Sequence, residues 1–167
     1  LTSATTGTGS TDGFQLWAYG SGGSTNAAIV QRENAALELW TNNTERLRID
    51  SSGRLLLGTT TPGDGGADDL TISTAGHTGI SIKSGSSHSG GIYFGDGTSG
   101  ASQYEGIIQY SHAINALQFY TNYSGSSNTR MTIDSLGNVG IENTAPAEKL
   151  HVGGNIRFGA NIGSTRR

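Results

Sequence analysis

Arg46-Leu47-Arg48-Ile49-Asp50-Ser51-Ser52-Gly53-Arg54-Leu55-Leu56-Leu57 and Arg130-Met131-Thr132-Ile133-Asp134-Ser135-Leu136-Gly137-Asn138-Val139-Gly140-Ile141 are two versions of one pattern. Leu47 and Ile49 alternate with Arg46, Arg48 and Asp50, and Val139 and Ile141 alternate with Asn138, Gly140 and Glu142. A period of two is that of a β-strand, with aliphatic groups on one face and polar groups on the other. Asp50 and Gly53, like Asp134 and Gly137, stand first and fourth in the intervening turn. Asp bonds the backbone N–H groups ahead of it, and Gly accepts the positive φ at the end. Each stretch therefore predicts a β-hairpin that turns Leu47 and Ile49 toward Leu55 and Leu57. Pro62 and Pro146 are expected to stop the second strand, because Pro removes a ladder donor.

The similarity extends outward on both sides. Ala36-Leu37-Glu38-Leu39-Trp40-Thr41-Asn42 matches Ala116-Leu117-Gln118-Phe119-Tyr120-Thr121-Asn122, 80 residues on. The offset grows to 84 at Arg46 and Arg130, because the second copy has four extra residues around Ser124 to Asn128. Upstream, Ile29-Val30-Gln31 aligns with Ile107-Ile108-Gln109 and Phe14-Gln15-Leu16 with Ile92-Tyr93-Phe94, both at an offset of 78. Downstream, Leu70-Thr71-Ile72 returns as Leu150-His151-Val152. The expected organisation is a first repeat at 1–66, a second at 67–149 and the start of a third at 150–167. The fold class is all-β, built of repetitive short strands and hairpins, with no long helical pattern.

Gly, Ser and Thr occupy 67 of the 167 positions, and Leu, Ile, Val and Phe only 32. The chain is therefore short of core, yet its net charge of −3 and its alternating pattern separate it from disordered tracts. Such a chain usually draws on disulfides, a metal or partners. There is no Cys, which removes the first and leaves the redox compartment open. Stacking the apolar faces of several copies around an axis makes the same few aliphatic residues serve twice, which favours a parallel homo-oligomer; the alternative is a monomeric β-sandwich in each repeat. No apolar window is long enough for a membrane helix, Leu1 to Ser10 lacks a signal-peptide pattern, and the scattered basic residues do not suit nucleic acid. The chain reads as a piece from within a longer one.

Arg130 to Ile141, with Thr144-Ala145-Pro146-Ala147-Glu148-Lys149-Leu150-His151-Val152, resembles a repeat of bacteriophage tail fibres and tailspikes. That family pattern reads approximately R-M-x-I-D-s-x-G-n-V-G-I-G-t-t-x-P-x-x-K-L-x-V. The first copy departs from it at Leu55 to Leu57, where Val-Gly-Ile is usual, and Glu142 stands where Gly is usual. The resemblance implies a homotrimer with a β-prism or intertwined, fibre-like architecture. It further implies an extracellular place on the virion, contacts with other tail proteins, and attachment to a glycan or protein receptor on a bacterial host. Such proteins often continue into a self-cleaving chaperone that assembles the trimer.

No enzymatic constellation stands out. Gly95-Asp96-Gly97-Thr98-Ser99-Gly100 matches a dinucleotide fingerprint literally, but a strand follows it where a helix is required, so it reads as a turn. Its counterpart in the first copy, Trp17-Ala18-Tyr19-Gly20-Ser21-Gly22, reads as the same loop. His77, His88, His112 and His151 stand alone, and His151 is expected to face solvent. Asp64 to Asp69 reads as a solvated acidic loop, with weak calcium binding as the other reading. Glu33, Glu38 and Glu45 form the only local carboxylate group, as a tailspike depolymerase would need, but Gln118 replaces Glu38 in the second copy. Neither a cofactor nor a metal is expected. The runner-up functions are a polysaccharide depolymerase and a bacterial adhesin stalk.

The candidate binding residues are Trp40, Asn42, Tyr120, Asn122 and Tyr123. Trp40 and Tyr120 are out of phase with the aliphatic residues and are followed by Asn. An aromatic face beside an amide suits a sugar ring and its hydroxyls. The alternative is that both rings pack under a loop or against a neighbouring chain.

Overall fold

The computed structural model describes residues 9, 12–21, 25–122, 128–157 and 159. They form twelve short strands, one 3-10 turn at Gly100–Gln103 and no α-helix. The chain divides into two units, Leu1–Ile80 and Ser81–Arg167, with six strands in each. In the first unit, β1 (Phe14–Tyr19) and β2 (Asn26–Gln31) form an antiparallel ribbon. A separate four-stranded sheet contains β3 (Leu37–Thr41), β4 (Thr44–Ile49), β5 (Leu55–Leu57) and β6 (Leu70–Ile72) in that order. The second unit is a single six-stranded sheet. Its strands run in sequence order: β7 (Ser89–Phe94), β8 (Gly106–Ser111), β9 (Ala116–Thr121), β10 (Thr129–Ile133), β11 (Val139–Ile141) and β12 (Leu150–Val152).

The hairpin predicted from Asp and Gly is present twice. Asp50 Oδ1 accepts the N–H groups of Ser52 and Arg54 at 2.9 and 3.1 Å, and Asp134 Oδ1 accepts those of Leu136 and Asn138 at 2.9 and 2.8 Å. Gly53 and Gly137 take φ of 85° and 73°. The register sets Leu47 opposite Leu57 and Ile49 opposite Leu55, as the alternation predicts.

The last strand of each unit returns parallel to the hairpin: β6 lies beside β5, and β12 beside β11. A parallel pair needs a crossover, here residues 58–69 and 142–149. The crossovers lie over the face opposite the aliphatic rows. Gly63 N–H donates to Thr71 Oγ1 at 2.9 Å in the first unit, and Ala147 N–H to His151 Nδ1 at 3.3 Å in the second. His151 is thus half-buried beneath a loop and does not face solvent as expected. Leu56, which points toward the same side, is 1% exposed. Its counterpart, Gly140, lies beneath a crossover four residues shorter, where a Cβ would collide with the carbonyl oxygen of Asn143. The longer loop accompanies the larger side chain.

Three details differ from the sequence expectation. The strands leave the ladder not at proline but at Gly58 and Glu142, both with positive φ, well before Pro62 and Pro146. Trp17, Ala18 and Tyr19 lie in β1 rather than in a loop. The upstream alignment shifts by one in β2 and by two in β1. Leu16 pairs with Ile29 and Ile92 with Ile108, which makes these two exposed aliphatic pairs equivalent and sets Trp17 against Tyr93.

Candidate functional site

Each unit has two faces of different chemistry. In the first, cross-strand register aligns Leu37, Ile49, Leu55 and Leu70 in one row and Leu39, Leu47, Leu57 and Ile72 in the next. In the second, Leu117, Ile133, Val139 and Leu150 form one row, and Phe119, Met131, Ile141 and Val152 the other. Tyr110 and Ile108 prolong these rows onto β8. No second layer covers them among the described residues. Leu39 is 53% exposed and Leu150 60%. Among the described residues the buried aliphatic side chains are Leu56, Ile107 and Ala116, none of them in these rows. An aliphatic patch of this regularity left open to water is the mark of an interaction surface.

The opposite face of the first unit carries charge around an aromatic ring. Arg48 meets Glu45 through two bonds, Nε to Oε1 at 2.8 Å and Nη2 to Oε2 at 2.7 Å, and reaches Glu38 Oε1 at 2.6 Å. The other oxygen of Glu38 accepts the indole N–H of Trp40 at 2.9 Å. The ring is therefore fixed at its edge while 57% of the residue stays exposed. The Arg48 guanidinium lowers the Glu45 pKa below its ordinary value, which keeps that carboxylate ionised.

A β-bulge makes this arrangement. Leu39 pairs with Leu47 but Trp40 pairs with Glu45, so Arg46 is the extra residue. Its Nε donates to Thr41 Oγ1 at 3.1 Å. The second unit repeats the device at Arg130, whose Nε donates to Thr121 Oγ1 at 2.9 Å. Nothing in the two-residue alternation announces the bulge, although the recurrence of Arg, five and nine residues after Thr, is its trace.

The candidate binding residues are placed as follows. Trp40 is an exposed platform. Tyr120, its counterpart, is half-buried: its hydroxyl donates to Gln118 Oε1 at 2.8 Å, two residues back, as Trp40 does to Glu38. Asn42 and Asn122 are exposed, and both have left-handed backbone. Asn42 and Asn43 have φ of 51° and 54°, the signature of the tight turn that closes β3 on β4, and Asn122 has φ of 54°. Tyr123 lies outside the described residues. Trp40 and Asn42 belong to the first unit, Tyr120 and Asn122 to the second.

A further aromatic group was not expected. Trp17 and Tyr19 have ring centroids 6.0 Å apart, and the Arg32 guanidinium lies 5.0 Å from the Trp17 ring centre. Their i, i+2 spacing in a strand is the signal that could have found them. Among the described residues no group of His, Asp or Glu is arranged to hold a metal ion, and no helix is long and apolar enough to cross a membrane. No family model matches the chain, and no curated protein matches its sequence.

Proposed function

We propose that this chain is a segment of a homotrimeric bacteriophage tail fibre, acting in mechanical extension and host attachment on the outside of the virion. The observation that carries the reading is the pair of uncovered aliphatic rows, repeated in both units. Three copies that turn these rows toward a common axis would supply the core that one chain lacks. The resemblance of residues 130–152 to the tail-fibre repeat supports the same reading. The whole of that stretch folds as one hairpin, crossover and returning strand.

The polar faces then remain outside and available to a receptor. Trp40 is proposed as the contact for a cell-surface sugar, its ring held by Glu38 and its face open. A binding role suits this site better than hydrolysis. Glu38 and Glu45 both pair with Arg48, and a general acid needs a raised pKa, the reverse of what Arg48 does to Glu45.

The test is adsorption of the labelled fragment to a panel of bacterial strains, with wild type compared to Trp40→Ala. The expected result is saturable binding to some strains, weakened at least tenfold by the substitution with no change in sedimenting mass. Release of reducing sugar from host polysaccharide would instead establish the depolymerase.

A further inference from the structure

The two units differ at one connection. In the second, β8 and β9 form a hairpin in which the Ser111–Ala116 pair closes a four-residue turn. In the first, the corresponding β2 and β3 share no ladder: β2 is the edge of the ribbon and β3 the edge of the four-stranded sheet. The connection between them is also one residue shorter. Ile29 and Leu39 correspond to Ile108 and Phe119, yet nine residues separate the first pair and ten the second. A hairpin of the same register must take the missing residue out of its turn.

The connection is instead held to the start of β1. Arg32 N–H donates to Gly13 O at 3.1 Å, and Gly13 N–H donates to Glu33 Oε1 at 3.0 Å. Ala35 N–H bonds back to Glu33 O at 2.8 Å. An open groove is left between Ile29 and Gln31 on one side and Leu37 and Ile49 on the other. Short hinge loops that resist closing on their own chain favour exchange between copies.

We propose that β2 of one copy pairs with β3 of a neighbouring copy, in the register that β8 and β9 adopt within one chain. Ile29 then lies opposite Leu39, and Gln31 opposite Leu37. The occupant fits the edge chemically. Leu16 and Ile29, paired and 69% and 62% exposed, extend the row of Leu39, Leu47, Leu57 and Ile72, so one aliphatic row crosses the chain boundary without a gap. The first repeat would complete between chains the six-stranded sheet that the second completes alone. This inference rests on the oligomeric reading above.

The chain has no Cys, so a disulfide reports only the pair introduced. Ile29→Cys with Leu39→Cys is oxidised mildly in dilute solution and run on a denaturing gel without reductant. More than half of the protein should appear as covalently linked chains. Ile108→Cys with Phe119→Cys, in the second unit, should give only an intrachain bond. Inserting one residue between Asn34 and Ala35 should move the first bond within the chain. Gln31→Cys with Leu37→Cys reports the same register where the first pair loosens the assembly. An intrachain bond, or none, from both pairs overturns the exchange. Sedimentation of the reduced protein separates the two claims: a trimer with intrachain bonds overturns the exchange alone, and a monomer overturns both.

Discussion

Glu142 occupies the repeat position of Gly58, and both turn the chain through left-handed backbone, with φ of 52° and 75°. The bonds around them correspond: Gly58 N–H donates to Arg46 O at 3.0 Å, and Glu142 N–H to Arg130 O at 2.9 Å. A non-glycine residue there costs on the order of 1 kcal/mol or more. Glu142→Gly should therefore stabilise the fold by about 1 kcal/mol, since the exposed pair with Arg130 at 3.5 Å contributes little. Gly58→Ala should destabilise, because its Cβ would come 2.5 Å from Ser73 O. Denaturant unfolding of the three proteins checks both signs.

Leu56 and Gly140 form a second corresponding pair, matched to crossovers of different length. Leu56→Ala should cost about 2–5 kcal/mol, as for a filled core site left empty. Gly140→Ala should destabilise although it adds one methyl group, by about 1–3 kcal/mol. Equal tolerance of the two substitutions in a chemical denaturation series would contradict the crossover geometry.

The hairpin turns carry a pH dependence. Asp50 is held below the ordinary aspartate range chiefly by its bond from Arg54, and Asp134 chiefly by the backbone N–H of Asn138. A carboxyl group whose folded pKa is lowered adds stability that is present above its unfolded pKa and lost as pH falls through the folded one. The thermal midpoint should therefore hold from neutral pH to about pH 4 and decline below it. Asp134→Asn should lower the midpoint at pH 7 and flatten the acid decline, which a melting series from pH 7 to 2 would show.

Much of this was legible in the sequence because its causes are local. Asp50 and Gly53 act within four residues, and the alternation of Leu47 and Ile49 sets their face whatever the partner. The return of Leu70–Ile72 parallel to β5 was not legible as a pairing, because it depends on a loop that crosses the sheet. That loop makes Leu56 the most enclosed apolar residue among those described, although Leu56 stands between two others that look identical, and the corresponding loop of the second unit half-buries His151. The bulge at Arg46 was hidden because it interrupts the alternation that reveals the strand. At the candidate site, the outward phase placed Trp40 correctly, but the need for positive φ at Asn42 belongs to a tight turn that its neighbours announce weakly.

Leu39→Lys places a charge in the middle of an aliphatic row. In a single chain Leu39 is already 53% exposed, so the β signature in circular dichroism should persist. In an assembly each copy would bury that charge, at a cost of several kcal/mol per ion. The substitution should abolish association while leaving the strands intact; a protein that stays associated would place the interface elsewhere.

Sedimentation equilibrium of the unmodified chain over a wide concentration range tests the shared core directly. The expected mass is three times that of the 17.2 kDa chain, independent of concentration. A stable monomer at 17.2 kDa would contradict it and leave the aliphatic rows of both units without a cover.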